Sequence, residues 1–560
     1  MRTAPVYQVL AEDLKALGVD TVFGLMSDCI CQIFSTLDAM GVRMIGARHE
    51  TNAVMMAMGY AAATGKLGVA LVGRGPAMAN AMHGTISTAK SGMPVLIISG
   101  DSPIGRGVVN GLGPDLKAFP AATVVRACGI PTFQPSSADA ARQSLADAVA
   151  EASLGKTAVL LLPTDVQVGY TSVSDGPSPV KLSPPPRPQA GRQSAIDTAA
   201  GLLRQAKRPL IVAGVGAHRA GARQALEALA DQTGALLVNA LKAKDLFRNN
   251  PYNLGILGSS STSVARRYIE QADCVLAVGV ALNSLTMSSG IALPAVPVIH
   301  VDSVRTNINR WWPADVGIVG DAKLVAEQLA TALPQRGAVD KPWHTEQVRA
   351  EIAAFEHTMD FQVAHTARTI DPRILTLELS RMLPDNRHIV YDGGNFMANW
   401  AYFSVPDPSH FTHSLDSGSV GLGLGTAIGV ARGRPDRTVV VMIGDGGMLM
   451  SMGEIETIIR EDLPMIVVVM NDAAYGAEVH ILRGQNMPVA KAEFFDVDFA
   501  PMAEPLGFDC HTVRSVDDLK KLEPLLAKPD GPIVIDCKIN GEVIAPFITE
   551  FIHKDTGPKH

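Results

Sequence analysis

Short runs of consecutive apolar residues alternate along this chain with longer stretches in which alanine and leucine recur at a helical period. The apolar runs are rich in valine and isoleucine and lack a polar residue at every second position. Uninterrupted apolar strands are typical of parallel sheets that helices cover on both faces. The pattern predicts strands at 68–73, 94–100, 209–214, 274–280, 297–302, 388–394, 438–443 and 464–470.

Two polar segments divide these strands into three groups. Residues 171–192 are dense in proline and serine and cannot form a helix or a central strand, and residues from about 334 to 372 are polar, with room for one exposed helix. The sequence therefore predicts an α/β fold of three open parallel-sheet domains. We expect these domains at 1–170, 190–335 and 365–545, followed by a tail at 546–560 that either covers a site or packs on the surface.

Composition narrows the possible partners. The 560 residues carry a net charge of −7, which offers no general attraction to nucleic acid or to anionic membranes. Six cysteines are scattered, and the pair Cys29 and Cys31 has no second pair nearby to complete a zinc site. The chain has no secretory signal and no run of 18 apolar residues, so we expect a cytoplasmic protein that does not span a membrane.

Two strand ends in the third domain carry acidic residues beside glycines. The strand at 438–443 leads into Gly444-Asp445-Gly446-Gly447, and the strand at 464–470 leads into Asn471-Asp472-Ala473-Ala474-Tyr475-Gly476. The glycines allow backbone N–H groups to approach an anion, and a following helix adds its positive dipole. Asp445 and Asp472 can converge on one magnesium ion, whose remaining ligands would be phosphate oxygens. Either motif alone is better explained as a turn.

Together the two motifs resemble the GDG–NN signature of thiamine-diphosphate enzymes, the family of pyruvate decarboxylase, benzoylformate decarboxylase, benzaldehyde lyase and acetohydroxyacid synthase. The family order of pyrimidine-binding, middle and diphosphate-binding domains matches the three groups of strands. The resemblance implies that Mg²⁺ is bound by Asp445, the side chain at 472 and the Ala474 carbonyl. The family usually has asparagine where this sequence has Asp472. Gly446, Gly447 and Tyr475 are then expected to contact the cofactor.

Further positions resemble the family's cofactor-binding residues. In Arg48-His49-Glu50 the resemblance implies that Glu50 hydrogen-bonds N1′ of the aminopyrimidine and favours its imino form, which activates thiazolium C2. Val420 matches the apolar wedge that bends the cofactor, and bending brings the two rings together. The Gly418 carbonyl is expected to accept from the 4′-amino group. Gly394 and Asn395 resemble a loop that helps to bind the diphosphate.

The resemblance also suggests reaction residues. Asp28 and Glu478 match catalytic carboxyls of pyruvate decarboxylase, and two carboxyls at one site can take acid and base roles. The paired histidines of that enzyme are missing, because the corresponding region, residues 110–115, contains no histidine. The active-site histidine of benzaldehyde lyase corresponds to Cys29 in this sequence. His83 and His480 could supply an imidazole or could simply pack. Ala477 replaces a bulkier residue and leaves room for a larger substrate or an aldehyde acceptor.

Several alternatives stay open. The favoured reaction is decarboxylation of a 2-oxo acid, with or without carboligation to an aldehyde or ketone that gives a 2-hydroxy ketone. Acetolactate-synthase-like ligation comes next, followed by cleavage of a 2-hydroxyacyl-CoA or 2-hydroxy ketone. A non-catalytic nucleotide-binding scaffold is the alternative from another class. In this family the pyrimidine and diphosphate sites come from different subunits, which implies a homodimer or homotetramer. The Gly214-Val215-Gly216 turn could hold FAD or ADP, although a lone G-x-G is a weak signal.

Overall fold

The computed structural model describes residues 2–104, 116–173, 176, 178–334 and 343–556. The region 110–115, where the paired histidines are missing, lies outside the described residues. Three six-stranded sheets, all parallel, form the three domains, so the predicted fold class is confirmed. No helix among the described residues is long and apolar enough to cross a membrane.

The first sheet has the strand order β3-β2-β4-β5-β7-β6, and β1 pairs antiparallel with β8 outside it. Its elements are β1 Arg2–Pro5, α1 Val6–Ala16, β2 Thr21–Gly24, α2 Cys31–Ala39, β3 Arg43–Gly46, α3 Glu50–Thr64, β4 Gly68–Val72, α4 Pro76–Ser91, β5 Val95–Asp101, α5 Ala121–Ala127, β6 Thr132–Phe133, α6 Ala138–Ser153, β7 Thr157–Pro163, α7 Thr164–Val168 and β8 Tyr170–Val173.

The second sheet has the order β11-β10-β9-β12-β13-β14. Its elements are α8 Gln193–Gln205, β9 Pro209–Ala213, α9 Val215–Arg219, α10 Arg223–Thr233, β10 Leu236–Asn239, β11 Asn253–Ile256, α11 Ser263–Ile269, β12 Cys274–Val278, β13 Val298–Asp302, β14 Val316–Val319 and α12 Ala322–Ala332. The polar segment that follows contains one helix, α13 Glu346–Ala353, as expected.

The third sheet has the order β16-β15-β17-β18-β20-β19. Its elements are α14 Pro372–Met382, β15 Arg387–Tyr391, β16 Phe411–His413, α15 Gly423–Gly433, β17 Thr438–Gly444, α16 Asp445–Ser451, α17 Glu454–Arg460, β18 Met465–Asn471, α18 Gly476–Gly484, α19 Phe499–Ala503, β19 Asp509–Val513, α20 Val516–Lys521, α21 Glu523–Ala527, β20 Ile533–Lys538 and α22 Pro546–Thr556.

All eight strands expected from the apolar runs are present to within a few residues. The central ones, such as β4, β9 and β18, are buried at every position because helices cover both faces of each sheet. One local expectation differs from the structure. The sequence predicted Gly444-Asp445-Gly446-Gly447 as a turn that precedes a helix, whereas α16 begins directly at Asp445. The domain boundaries given above remain predictions.

Two helices join the first and third domains at very close range. A Cβ atom on Gly59 of α3 would lie 2.0 Å from the Thr426 carbonyl oxygen, and one on Gly429 of α15 would lie 1.9 Å from the Met56 carbonyl oxygen. Glycine is therefore required at both positions for the backbones to approach. The contact fixes the middle of α3 against the third domain.

Candidate active site

Two carboxylates face one another at the ends of neighbouring strands. Asp445 follows β17 and Asp472 follows β18, and these strands pair in parallel up to Gly444 and Met470. Burial raises the pKa of Asp445 to about 7. Burial, with a further contribution from the Asp445 charge, raises the pKa of Asp472 to about 8. Such a pair is strained in its ionised form unless a cation lies between the side chains.

The site fits a hard divalent cation. Oδ1 of Asp445 accepts from the Gly446 N–H at 2.9 Å, while its buried Oδ2 has no hydrogen-bond partner among the described residues. The described residues form no cluster of three or more His, Cys, Asp or Glu side chains that could hold a metal. A cation here would therefore take two carboxylates and backbone oxygens from the protein. Magnesium commonly takes few protein ligands and completes its octahedron with phosphate and water.

The loop that carries Ala474 is held in an unusual conformation. Ala473 has φ +56°, a left-handed value that only surrounding contacts can maintain in a non-glycine residue. Ala473 accepts from the Phe494 N–H at 2.9 Å, and Tyr475 donates to Ala492 at 2.8 Å. Neither bond uses the Ala474 carbonyl, which is the oxygen expected to bind the metal. Ala474 as a ligand stays a prediction that this geometry allows.

A buried polar network below the metal loop was missed by the sequence reasoning. Asn471 donates to Asp536 at 2.9 Å and to the Val497 carbonyl at 2.8 Å, so its side chain supports the loop and does not face the metal. Lys538 joins the same network through Asp496 and Asp536. The spacing of an isolated lysine and aspartates along the sequence gives no signal for such a cluster.

The glycines after Asp445 are needed because other groups lie against them. A Cβ on Gly446 would lie 2.6 Å from the Tyr475 ring, so this ring covers the start of α16. A Cβ on Gly447 would lie 2.6 Å from Oδ2 of Asp392. Gly446, Gly447 and Tyr475 therefore meet in space, as their proposed shared role in cofactor binding requires.

Asp392 is a further buried carboxylate that the sequence reasoning did not single out. It is fully buried and accepts from Ser414 Oγ at 2.8 Å and from the backbone N–H of Gly421 at 2.7 Å. Burial raises its pKa above the ordinary range for aspartate. Because Asp392 contacts both the 419–422 loop and α16, it fixes the expected wedge relative to the expected diphosphate site.

The loop expected to form the wedge lies beside the end of β15. Gly418 has φ +73° and ends a 3₁₀ turn at Leu415–Ser417. A Cβ on Gly393 would lie 2.8 Å from Cγ1 of Val420, and one on Gly421 would lie 2.8 Å from Cβ of Met450 in α16. Val420 is therefore placed next to Gly393, and its neighbour Gly421 lies against α16. Its wedge role stays a prediction.

Asn395 has a contact that the sequence did not predict. Its Nδ2 donates to the Val543 carbonyl at 2.7 Å, and its Oδ1 accepts from the Ala545 N–H at 2.9 Å. The side-chain amide thus holds the segment that leads into α22. Gly394, with φ +153°, lies against the Phe396 ring. Direct contact of Gly394 and Asn395 with a diphosphate remains a prediction.

Glu50 is the first residue of α3 and is 7% exposed. The helix starts here because His49 Nδ1 caps it by accepting from the Thr51 N–H at 3.2 Å, and an acidic residue in the first turn favours the helix dipole. Asn80 Nδ2 donates to Oε2 of Glu50 at 3.1 Å. The carboxylate is therefore oriented by the start of α4, which suits a fixed hydrogen-bonding role.

A carboxylate from the third domain holds the segment just before Glu50. Glu454 is fully buried, and its Oε1 accepts from the backbone N–H groups of Arg48 at 2.8 Å and His49 at 3.1 Å. The same oxygen accepts from Asn52 Nδ2 at 3.1 Å, while Oε2 accepts from Thr457 at 2.8 Å. Burial raises the pKa of Glu454. No motif in the sequence linked Glu454 to Glu50.

The remaining reaction candidates occupy different surroundings. The Asp28 side chain is 71% exposed and pairs with Lys117 at 2.5 Å, and this hydrogen bond holds its pKa below the ordinary value. Glu478 lies exposed in the first turn of α18. His480 is buried with its Nε2 unpartnered among the described residues, and burial lowers its pKa. Burial and nearby His49 lower the pKa of His83.

The tail packs against the helix that carries Ala477, Glu478 and His480. A Cβ on Gly484 at the end of α18 would lie 2.8 Å from Ile552 of α22. At its other side α22 reaches the second domain, where Ser259 Oγ donates to Glu550 at 2.6 Å. The tail therefore packs between α18 and the second domain.

The glycines of the second domain are explained by packing. A Cβ on Gly214 would lie 2.2 Å from the Gly279 carbonyl oxygen, and one on Gly216 would lie 2.8 Å from the Gly279 Cα atom. The G-x-G turn is thus required for contact with the turn after β12. It gives no support for FAD or ADP.

Comparison with known proteins shows the family to which this chain belongs. Residues 5–120 match the family described as thiamine pyrophosphate enzyme, N-terminal TPP binding domain; residues 196–329 match its central domain and residues 392–537 its C-terminal TPP binding domain. A probable acetolactate synthase large subunit of Methanocaldococcus jannaschii is 26% identical, covering 97% of this chain and 93% of the relative. Acetolactate synthase isozyme 2 large subunit of Escherichia coli is 27% identical, covering 95% of each.

A sulfoacetaldehyde acetyltransferase of Alcaligenes xylosoxydans xylosoxydans is also 27% identical, covering 98% of this chain and 95% of the relative. The three matches together span most of the chain in the expected order, so this chain belongs to the thiamine pyrophosphate enzyme family. It is a thiamine-diphosphate- and Mg²⁺-dependent enzyme of C–C bond chemistry on 2-oxo acids.

Proposed function

We propose that this enzyme decarboxylates a 2-oxo acid and joins the resulting acyl unit to a second carbonyl compound, giving a 2-hydroxy ketone. The C–C bond to the carboxylate breaks and releases carbon dioxide, a new C–C bond forms to the acceptor carbonyl carbon, and a proton goes to the acceptor oxygen. When bound, thiamine diphosphate supplies the electron sink for both steps. Acetolactate synthases among the relatives support ligation over simple decarboxylation.

The Asp28–Lys117 pair is the observation that carries the choice of ligation. Release of an aldehyde after simple decarboxylation needs a general acid whose pKa lies near the working pH. Lys117 lowers the pKa of Asp28, which makes this carboxyl a weaker proton donor than an unpaired aspartate. Ala477 in α18 stands where pyruvate decarboxylase has a bulkier residue, and this smaller side chain would favour the same choice. Glu478 is the remaining carboxyl for proton transfer to the acceptor oxygen.

Different residues of this chain would bind the metal, the diphosphate and the two rings of the cofactor. Asp445, Asp472 and the Ala474 carbonyl would hold Mg²⁺, and the start of α16 at Gly446 and Gly447 would donate to the diphosphate. Val420 and the Gly418 carbonyl would orient the two rings, with Asp392 fixing their loop. Glu50, oriented by Asn80, would hold the N1′ proton.

We also propose that the active site needs a second copy of the chain. Within one chain, Arg48, which lies two residues before Glu50, contacts Gly453. Gly453 lies beyond the end of α16, roughly 12 Å from Asp445 along the helix axis. The first and third domains, which carry the expected cofactor residues, both expose apolar side chains, and exposed apolar surface is typical of an interaction surface. These side chains are Met26, Ile104 and Leu116 in the first domain and Leu449, Met450 and Tyr475 in the third.

A panel of 2-oxo acids, each with and without aldehyde or ketone acceptors, tests the reaction. Carbon dioxide and 2-hydroxy ketone should form in equal amounts when an acceptor is present, with sulfoacetaldehyde included among the acceptors. Carbon dioxide with free aldehyde as the only second product would reject ligation. The rate of proton exchange at cofactor C2 separates an enzyme from a scaffold, since a scaffold would exchange no faster than free cofactor.

A further inference from the structure

A buried lysine in the third domain has three carboxylates around it. Lys538 ends β20, and its side chain is 3% exposed. Its Nζ lies 2.6 Å from a carboxylate oxygen of Asp496 and 3.1 Å from one each of Asp498 and Asp536. It also donates to the Val497 carbonyl at 2.7 Å. An ammonium group has three N–H donors, so these acceptors engage all of them and fix its position.

The register of the sheet sets Lys538 beside the loop that carries the expected metal ligands. In the parallel pair of β18 and β20, Lys538 lies opposite Asn471, the residue before Asp472. The two side chains share their acceptors, because Asn471 donates to the Val497 carbonyl at 2.8 Å and to Asp536 at 2.9 Å. Lys538 therefore positions the same groups that hold the start of the metal loop.

The segment 492–498, which Lys538 contacts at one end, also holds the metal loop directly. The Phe494 N–H donates to the Ala473 carbonyl at 2.9 Å, and the Tyr475 N–H donates to the Ala492 carbonyl at 2.8 Å. Ala473 has φ +56°, and a non-glycine residue keeps such a conformation only where its surroundings enforce it. The direction of the carbonyl expected to bind the metal therefore depends on this segment.

The ammonium also balances a local excess of negative charge. Burial alone would lower the pKa of Lys538, but the hydrogen bond to Asp496 and the charge of Asp536 raise it above the ordinary value, so the group is cationic. Asp536 is fully buried, whereas the side chains of Asp496 and Asp498 are 47% and 59% exposed. Without the ammonium, repulsion would drive the two exposed carboxylates towards solvent, where they can be hydrated. The backbone at 496–498 would move with them.

We propose that Lys538 is a positioning residue for Mg²⁺, which holds segment 492–498 and thereby the loop from Asp472 to Ala474. Lys538 does not touch the metal, and it acts on the affinity for the cation through the hydrogen bonds of this segment. Replacing groups that orient metal ligands commonly lowers metal affinity by about 10- to 100-fold. The inference rests on the proposed Mg²⁺ ligands Asp445 and Asp472.

Equilibrium dialysis of Mg²⁺ against the enzyme with saturating thiamine diphosphate measures the effect. Lys538→Met should weaken Mg²⁺ binding by about tenfold or more, and Lys538→Arg by less, because a guanidinium keeps the charge and can donate to several carboxylates. Asp496→Ala removes the nearest carboxylate from a half-exposed position, so it should fold and should weaken Mg²⁺ binding in the same direction. This variant decides the question if Lys538→Met does not fold.

Arg142→Met is the matched control for a general loss of stability. It removes another cation that pairs with a buried aspartate, Asp13, at 2.7 Å, between α1 and α6 of the first domain. Urea unfolding should show a loss of stability in this variant too, but its Mg²⁺ affinity should equal that of the parent. Asp445→Asn in the same assay tests the metal assignment itself.

Three results would overturn the role of Lys538. They are parental Mg²⁺ affinity in Lys538→Met, or in Asp496→Ala where Lys538→Met does not fold; equal weakening in Arg142→Met; and a Lys538→Arg variant that binds Mg²⁺ no better than Lys538→Met. A loss of affinity confined to Asp445→Asn overturns the role of Lys538 alone. If Asp445→Asn also binds Mg²⁺ like the parent, the metal assignment is wrong and the inference falls with it.

Discussion

Replacing Glu454 tests whether the third domain positions Glu50. In Glu454→Ala the N–H groups of Arg48 and His49 and the amide of Asn52 lose their common acceptor inside the protein. Each buried donor without an acceptor costs about 1–3 kcal/mol, and water entering the space recovers part of this. We expect the free energy of unfolding to fall by about 3–5 kcal/mol.

Glu454→Gln is the matched control. Its carbonyl oxygen can accept from the same three donors, and its NH₂ group can donate to Thr457 Oγ1, which is able to reverse its role. Urea unfolding should place this variant within about 1 kcal/mol of the parent. In Glu454→Ala the displaced Glu50 should also slow proton exchange at C2 of bound cofactor, while Mg²⁺ affinity is kept.

The reasoning would be refuted by either of two results. In the first, Glu454→Ala and Glu454→Gln lose equal stability, which would mean that the negative charge and not the acceptor geometry matters. In the second, Glu454→Ala exchanges the C2 proton at the parent rate, so that Glu50 does not depend on this anchor.

Three further predictions concern the metal, the activating carboxylate and Asp28. Asp445→Asn should weaken Mg²⁺ binding in equilibrium dialysis by at least tenfold, whereas Asp472→Asn should keep it, since an amide oxygen also coordinates Mg²⁺ and the repulsion with Asp445 disappears; equal losses would contradict this. Glu50→Gln should retain cofactor binding but lower kcat by at least about 100-fold, and unchanged turnover would remove its activating role. Lys117→Met should raise the pKa of Asp28 towards 3.8, because Lys117 lowers it in the parent. A fall of kcat/KM at low pH that is caused by protonation of Asp28 should therefore move to higher pH, and an unchanged pH profile would exclude a catalytic role for Asp28.

The sequence predicted those features of the fold and the site that depend only on residues close together in the chain. Strands buried on both faces must be apolar at every position, so β4, β9 and β18 were visible as uninterrupted runs. A helix start that approaches an anion must be free of side chains, so Gly446 and Gly447 marked the site beside Asp445. The geometry of the described residues brings these positions together with Tyr475 and Val420.

Other parts of the site depend on contacts between distant segments. Glu454 and Arg48 are 406 positions apart, and Asn395 and Ala545 are 150 apart. A single glutamate or asparagine looks the same in a sequence whether it is solvated or anchors a buried loop. The resemblance assigned Asn395 to the diphosphate, and only the structure revealed its bonds to the segment before α22.

The sequence alone therefore determined the three α/β domains and the cofactor class, and it singled out the two aspartates that we propose as metal ligands. These features follow from local periodicity and from short motifs that end a strand. The tertiary structure alone decided that Glu454 and Asn80 orient the region of Glu50, that Asp392 links the wedge loop to α16, and that Asp28 pairs with Lys117. The physical reason is that burial and the partner of a polar group, which set its pKa and its orientation, arise only when separate segments pack together.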